Sequence, residues 1–252
     1  MPTTPRLHWP RLASSTRLQR DQLHVWAIPI SGPLLATDQQ LLSADEQTRA
    51  TRFRLARVRQ HFITARVRLR MILSTYLDID PAAVRFVYDK LGKPALDSST
   101  HGNGLFFNLA HSGELAVVAV TSDCEVGIDV ERLRPVRHAE GIARRFFHPD
   151  EAADVLACRG QERMGAFFRC WTRKEAVVKA VGKGLQFPLD QFRVPVQSDT
   201  PEWLGLPQKA LQNTRLPVGR VWLQAFVPCD NYVGAVATLG VKRVSIFRSL
   251  QV

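Results

Sequence analysis

Apolar positions along this chain of 252 residues change their period several times, and each change marks an element. Residues 23–30 are an apolar run of strand length. Ser43-Ala44-Asp45-Glu46 carries a capping-box signature that opens a helix. A second helix is expected from 58 to 77, where Phe62, Ala65, Leu69, Ile72 and Leu73 form one stripe. Residues 84–89 are strand-like, and Gly92-Lys93-Pro94 marks a turn. Runs at 105–110, 115–121 and 126–131 predict three further strands. The second half repeats the mixture, with helices over 139–147, 150–157 and 162–181 and strands over 221–227, 232–239 and 243–247. Each half therefore combines helices with a mostly antiparallel sheet, an α+β pattern. VVAVT at 117–121 and AVAT at 235–238 are faintly alike, a hint of duplication. The expected organisation is a tail rich in Pro, Arg and Ser over 1–21, an N-terminal subdomain over 22–124 and a C-terminal subdomain over 125–252.

Composition narrows the class. A hydrophobic content of 45% and a charged content of 23% are those of an ordinary soluble globular protein. The four cysteines lack Cys-x-x-Cys spacing, and they read as reduced packing thiols. The first residues lack the apolar core of a secretory signal, and no apolar run approaches the length of a membrane span. A cytoplasmic protein is expected. The net charge of +11 implies an acidic partner. Arg52, Arg54, Arg57, Arg59, Arg66 and Arg68 fall between Arg49 and Arg70, with Arg59, Arg66 and Arg70 bordering the buried stripe. A phosphate-binding groove, a nucleic-acid surface and a solvated helix face all fit that pattern.

Two acidic features carry candidate chemistry. Val126-Gly127-Ile128-Asp129-Val130-Glu131 alternates, so on a strand Asp129 and Glu131 share one face. Two neighbouring carboxylates each oppose the other's ionisation unless a cation lies between them. Further on, Met164, Phe167, Phe168, Trp171 and Val178 fall on one helix face, with Glu175 in its middle and Lys179 on its flank. A carboxylate among aromatic rings is costly unless something positive meets it. Three such carboxylates form a hard-oxygen set suited to Mg2+ completed by substrate phosphates. The bland alternatives are a surface Glu175–Lys179 pair at i,i+4 and a solvated strand end.

Four segments stand in a telling order: Gly92-Lys93-Pro94; Phe107-Asn108-Leu109-Ala110-His111-Ser112; Gly127-Ile128-Asp129-Val130-Glu131; and Trp171-Thr172-Arg173-Lys174-Glu175 with Lys179 and Gly182-Lys183-Gly184-Leu185. Their order and spacing resemble the signature of Sfp-type 4'-phosphopantetheinyl transferases. The resemblance spans roughly residues 23–240, including the arginine-rich helix and Phe146-Phe147. It implies two similar subdomains related by a pseudo-two-fold, a monomeric pseudo-dimer with coenzyme A in the cleft between its halves. The implied reaction moves the 4'-phosphopantetheine arm to a serine of an acidic apo acyl or peptidyl carrier protein, of the fatty-acid, polyketide or non-ribosomal-peptide kind. Adenosine 3',5'-bisphosphate is released.

The resemblance also implies roles. Asp129, Glu131 and Glu175 hold Mg2+, with Mn2+ as an alternative; Glu175 takes the serine proton or serves as ligand alone. Lys179 meets the leaving phosphate. Lys93, His111 and the backbone at Ala110 contact coenzyme A phosphates, and Arg49 and Arg59 are candidates for its 3'-phosphate. Asn108, Trp171 and Lys174 shape the site. Ala110 stands where many members have serine, and His61 where relatives often carry arginine. A non-catalytic basic module binding nucleic acid or an acidic protein is the alternative. It has no use for three carboxylates, which repel phosphate unless a metal is present. A nucleotide hydrolase would need a Gly-x-x-x-x-Gly-Lys-Ser/Thr loop, which the chain lacks.

Overall fold

The computed structural model describes residues 16–32, 34–35, 37–184, 187–207 and 219–249; most of the expected tail and Leu185 lie outside them. Two compact units emerge. Of the described residues, the first takes those up to Asp123 and again from Ser245 on; the second takes Cys124–Val244.

In the first unit β1 (Gln22–Pro29) is followed by α1 (Ala44–Thr51) and α2 (Ala56–Leu77). A hairpin of β2 (Phe86–Tyr88) and β3 (Pro94–Leu96), the short α3 (Ser98–His101), β4 (Leu105–Ser112) and β5 (Leu115–Ser122) complete the run. In the second unit β6 (Val126–Arg132) precedes three helices, α4 (Ala139–Phe146), α5 (Pro149–Ala157) and α6 (Gly160–Val181). Then come β7 (Glu202–Gly205), β8 (Arg220–Phe226) and β9 (Tyr232–Leu239), with β10 (Val244–Ser249) last. The sheets run β10-β1-β5-β4 and β6-β9-β8-β7. β5 is antiparallel to β1 and β4, and β9 to β6 and β8. The two strands whose sequences are alike, β5 and β9, are thus each an interior strand of its sheet. Among the described residues no helix is long and apolar enough to cross a membrane.

The division falls one residue before the expected 124/125 boundary, and the last strand does not stay with the C-terminal half. β10 pairs with β1, whose other side is already taken by β5. A central strand needs partners for both rows of backbone groups, and β10 supplies the second row.

Each unit lays a 22-residue helix on its sheet. Ala65, Leu69, Ile72 and Leu73 of α2 pack with Trp26, Ile28, Val118 and Val120. Phe62 leaves the expected stripe to join a smaller cluster with Leu42, Ala50, Ile63 and Val67. In the second unit Phe167, Ala176, Val177 and Ala180 of α6 pack with Val221, Leu223, Ala235 and Ala237.

Both units contain the same buried latch. Glu46, from the capping box of α1, is fully buried and meets Arg66 Nε at 2.9 Å and Arg70 Nε at 2.7 Å. Arg70 also donates to the carbonyls of Pro81 at 3.1 Å and Val84 at 2.8 Å. Glu151, from the capping box of α5, accepts from Lys174 Nζ at 2.8 Å, His148 N at 2.8 Å and Val194 N at 2.6 Å. Lys174 Nζ donates in addition to Leu189 O and Phe192 O, at 2.7 and 2.8 Å. Arg70 and Lys174 each stand at the fifteenth residue of their long helix. Arg66 and Arg70 therefore serve the fold, and of the three arginines expected to border a phosphate groove only Arg59 is exposed.

Candidate active site

In the second unit the site is made where α6 lies on β6. Gly127 allows the approach: a Cβ there would stand 2.0 Å from Ala176 O and 2.3 Å from Ala180 N. Glycine inside a strand marks such a close passage of backbone. Two residues along β6, Asp129 points to the same face and meets Lys179 of α6, Nζ to Oδ1 at 2.6 Å. Lys179 Nζ also donates to Ile128 O at 3.3 Å. The ammonium is thus held against β6, which is a different arrangement from a solvated i,i+4 pair.

Asp129 is 7% exposed, and its Oδ2 is buried with no hydrogen-bond partner among the described residues. Burial drives its carboxyl up to about 7; Lys179 opposes the rise, while the charges of Glu175 and Glu131 add to it. Glu175, half-buried on α6, is also raised, first by burial and then by Glu131, against the pull of Lys179. Glu131 pairs with Arg134 at 2.8 Å, and the Arg134 guanidinium lies 5.2 Å from the Phe168 ring centre. Behind Glu175, Trp171 stacks on Phe167 with centroids 6.1 Å apart and planes 14° from parallel.

The three expected metal ligands are therefore electrostatic neighbours, all in the second unit. Yet among the described residues no three His, Cys, Asp or Glu side chains are gathered closely enough to hold a metal ion. Asp129 turns to Lys179 and Glu131 to Arg134. Like charges close together oppose one another, so each takes the cation its own neighbourhood offers. Sequence reasoning did not single out Arg134 or the packing role of Gly127. A lone glycine in an otherwise alternating strand is the signal for the second; for the first it is a cation three residues past Glu131.

The expected phosphate contacts lie in the first unit. Lys93 follows Gly92, whose φ of +80° suits glycine. Asp89 builds this turn: its Oδ1 accepts from Leu91 N and Lys93 N, both at 2.8 Å, and its N–H donates to Lys93 O at 3.1 Å. Ala110 and His111 end β4 opposite Val117 and Ala116, with Ala110 buried and His111 exposed. Arg49 lies over the Phe62 ring at 5.6 Å, and Arg59 donates to Phe53 O at 3.0 Å; both are exposed. Of the residues expected to shape the site, Asn108 is buried in β4 and Lys174 belongs to the Glu151 latch.

Comparison with known proteins bears on what this arrangement does. Residues 125–237 match the family model described as 4'-phosphopantetheinyl transferase superfamily, and residues 30–123 match that described as 4'-phosphopantetheinyl transferase, N-terminal. The chain is 37% identical over 230 residues to the 4'-phosphopantetheinyl transferase HetI of Nostoc, covering 88% of this chain and 90% of HetI. It is 30% identical over 190 residues to the transferase ffp of Bacillus subtilis, covering 74% and 82%. Against Sfp of the same species it is 29% identical over 189 residues, covering 73% and 82%.

Proposed function

The chain belongs to the 4'-phosphopantetheinyl transferase family, and from that premise we propose that it moves the 4'-phosphopantetheine arm of coenzyme A onto a serine of an acidic apo carrier protein. It is a transferase. The observation that carries the finer reading is the Asp129–Lys179–Glu175 arrangement, where a raised carboxylate and an ammonium stand together on a half-buried face.

In the proposed reaction Glu175 accepts the proton of the carrier serine as its oxygen bonds to the phosphorus bearing the pantetheine arm. A carboxylate raised by burial is a better base than a solvated one. As the bond from that phosphorus to the bridging oxygen breaks, adenosine 3',5'-bisphosphate leaves, and Lys179 offsets the charge on the departing phosphate. Lys93, His111 and the N–H of Ala110 bind coenzyme A phosphates, with Arg49 and Arg59 on the 3'-phosphate. Phosphoryl transfer asks mainly for such positioning.

Asp129, Glu131 and Glu175 are the residues proposed to hold Mg2+ or Mn2+. The fit rests on the chemistry of the set: three hard oxygen donors, of which Glu131 and Glu175 add to the rise of Asp129, and a buried Asp129 oxygen without a hydrogen-bond partner among the described residues. Bound there, the ion would neutralise pyrophosphate charge. Binding it would require Glu131 to exchange Arg134 for the metal. Four free cysteines support a reducing, cytoplasmic setting, and two subdomain models within one chain support a monomer.

Intact-mass spectrometry of apo carrier proteins incubated with the enzyme and coenzyme A tests this. A carrier gaining one phosphopantetheine arm, only with divalent metal present, is the expected result. No gain on fatty-acid, polyketide or peptide carriers would overturn the acceptor assignment.

A further inference from the structure

The turn that carries Lys93 is held by more than its hairpin. β2 and β3 pair only at Phe86–Leu96, Val87–Ala95 and Tyr88–Pro94, and they form a two-stranded sheet of their own. A hairpin of that size is marginal in water unless something else orders it. Next to the turn, Tyr88 is anchored to the Glu46 latch. The Arg66 guanidinium donates to the Tyr88 hydroxyl and lies over the Phe86 and Tyr88 rings, 4.9 and 5.5 Å from their centres.

Asp89 ties that anchored strand to Lys93. Its carbonyl accepts from Gly92 N at 3.0 Å, and its N–H donates to Lys93 O at 3.1 Å. Its Oδ1 accepts from Leu91 N and Lys93 N, each at 2.8 Å. Both backbone polar groups of Lys93 are therefore bonded to Asp89. The carboxylate is exposed, and it is the sole acid in residues 81–96, which also hold Arg85, Lys90 and Lys93. A negative charge in a segment proposed to receive phosphate repels the ligand. What Asp89 supplies in exchange is the shape of the turn.

We propose that Asp89 is a positioning residue for coenzyme A: it fixes the backbone of Lys93, so that the ammonium meets a coenzyme A phosphate from a turn already ordered. The assignment rests on the proposed phosphate role of Lys93. Without Oδ1 the amides of Leu91 and Lys93 turn to water, and the turn samples other shapes. Binding must then supply the ordering entropy, which weakens affinity. The chemical step is spared, because the residues proposed for it, Glu175 and Lys179, stand on α6 in the second unit. Asn at this position keeps an oxygen acceptor for both amides and sheds the charge, whereas Ala loses the acceptor as well.

Calorimetric titration of the full chain with coenzyme A tests this in the native protein, Asp89→Ala, Asp89→Asn, Lys93→Ala and the double variant D89A/K93A, with melting temperatures measured alongside. Asp89→Ala is expected to bind coenzyme A roughly threefold to tenfold more weakly, the effect of one hydrogen bond or two. KM for coenzyme A should rise by the same factor, while carrier KM and kcat stay unchanged. Asp89→Asn should bind as tightly as the native protein or tighter. In D89A/K93A the loss should equal that of Lys93→Ala alone, since a turn without its ammonium has nothing to present. Native affinity in Asp89→Ala, whatever its melting temperature, would overturn the proposal. So would an equal loss in Asp89→Asn, or losses that add in the double variant. Native affinity in Lys93→Ala would overturn the phosphate role of Lys93 and that of Asp89 with it. Binding is read without transfer, so a chain that binds coenzyme A yet modifies no carrier fails the acceptor assignment alone, and the titrations still decide Asp89.

Discussion

A carboxylate with one oxygen on an ammonium and the other buried without a partner holds its charge at a cost, and among the described residues Asp129 is in that position. Its carboxyl titrates near 7 in the fold against an ordinary value of 3.8. Between those values the folded protein keeps a proton that the unfolded chain releases, so stability falls as pH rises from about 4 to 7. The shift corresponds to at most about 4 kcal/mol. Asp129→Asn removes that penalty. In chelator at pH 8 the variant is expected to melt higher than the native protein and to lose the slope across this window, while transfer disappears. Thermal melts at pH 5 and pH 8 decide it, and a lower melting temperature at pH 8 would count against the burial argument. Glu175→Gln keeps shape and packing but cannot take a proton. A fall in kcat of roughly 10²- to 10⁴-fold with little change in melting temperature is expected. Near-native turnover would remove Glu175 from the chemistry.

At the scale of elements, the site depends on how closely α6 lies on β6, and Gly127 sets that distance. Gly127→Ala brings a methyl against the helix backbone, where no flexible side chain exists to yield. A loss of about 1–3 kcal/mol or more in urea melts is expected, with kcat falling further than carrier KM rises, because Glu175 and Lys179 move with the helix. Native kinetics at reduced stability would mean that the site tolerates the displacement. The Glu151–Lys174 latch holds the same helix from another side. Glu151→Ala leaves a buried ammonium without its anion, and a loss of about 3–5 kcal/mol is expected by denaturant titration. A loss below 1 kcal/mol would show that Lys174 finds other partners. These two features also show how far the sequence can be read. The strand period makes the shared face of Asp129 and Glu131 legible, and the Ser43 capping box is legible because its residues are local. The same box does not reveal that Glu46 will be buried against arginines twenty and twenty-four residues on. Amphipathic spacing says which face of a helix is covered, but not by what. Asp129, Glu131 and Glu175 were each legible by type and period. The engagement of Asp129 with Lys179, fifty residues on, follows from tertiary packing, which periodicity does not encode, whereas Glu131 finds Arg134 three residues along the chain.

For the whole molecule, chain order and fold order part company at β10, which closes the first unit's sheet only after the second unit has been traversed. Beside it lies a polar cluster inside the first unit. The Tyr76 hydroxyl accepts from Trp26 Nε1 at 2.8 Å and lies 2.7 Å from His24 Nδ1, while the Arg248 guanidinium of β10 stands 5.6 Å from the Trp26 ring centre. His24 is fully buried, and burial followed by Arg248 lowers its pKa from 6.5 to about 4. A depressed histidine favours the fold above its unfolded value; that contribution, roughly 3 kcal/mol, is lost as pH falls from 6.5 through 4. Acid thus weighs on the first unit, whereas neutral and higher pH weighs on the second through Asp129. Removing the chain from Ser245 on takes away Arg248 and opens one edge of β1, so water gains access to His24. Native-state hydrogen exchange should then show protection falling in β1, β5 and α2 while β6 and α6 keep theirs. The loss should also depend less on pH between 4 and 6.5, because a solvated histidine no longer resists its proton. Equal loss in α6 would mean that the two units unfold as one, and unchanged protection in β1 would mean that β10 contributes pairing without stability.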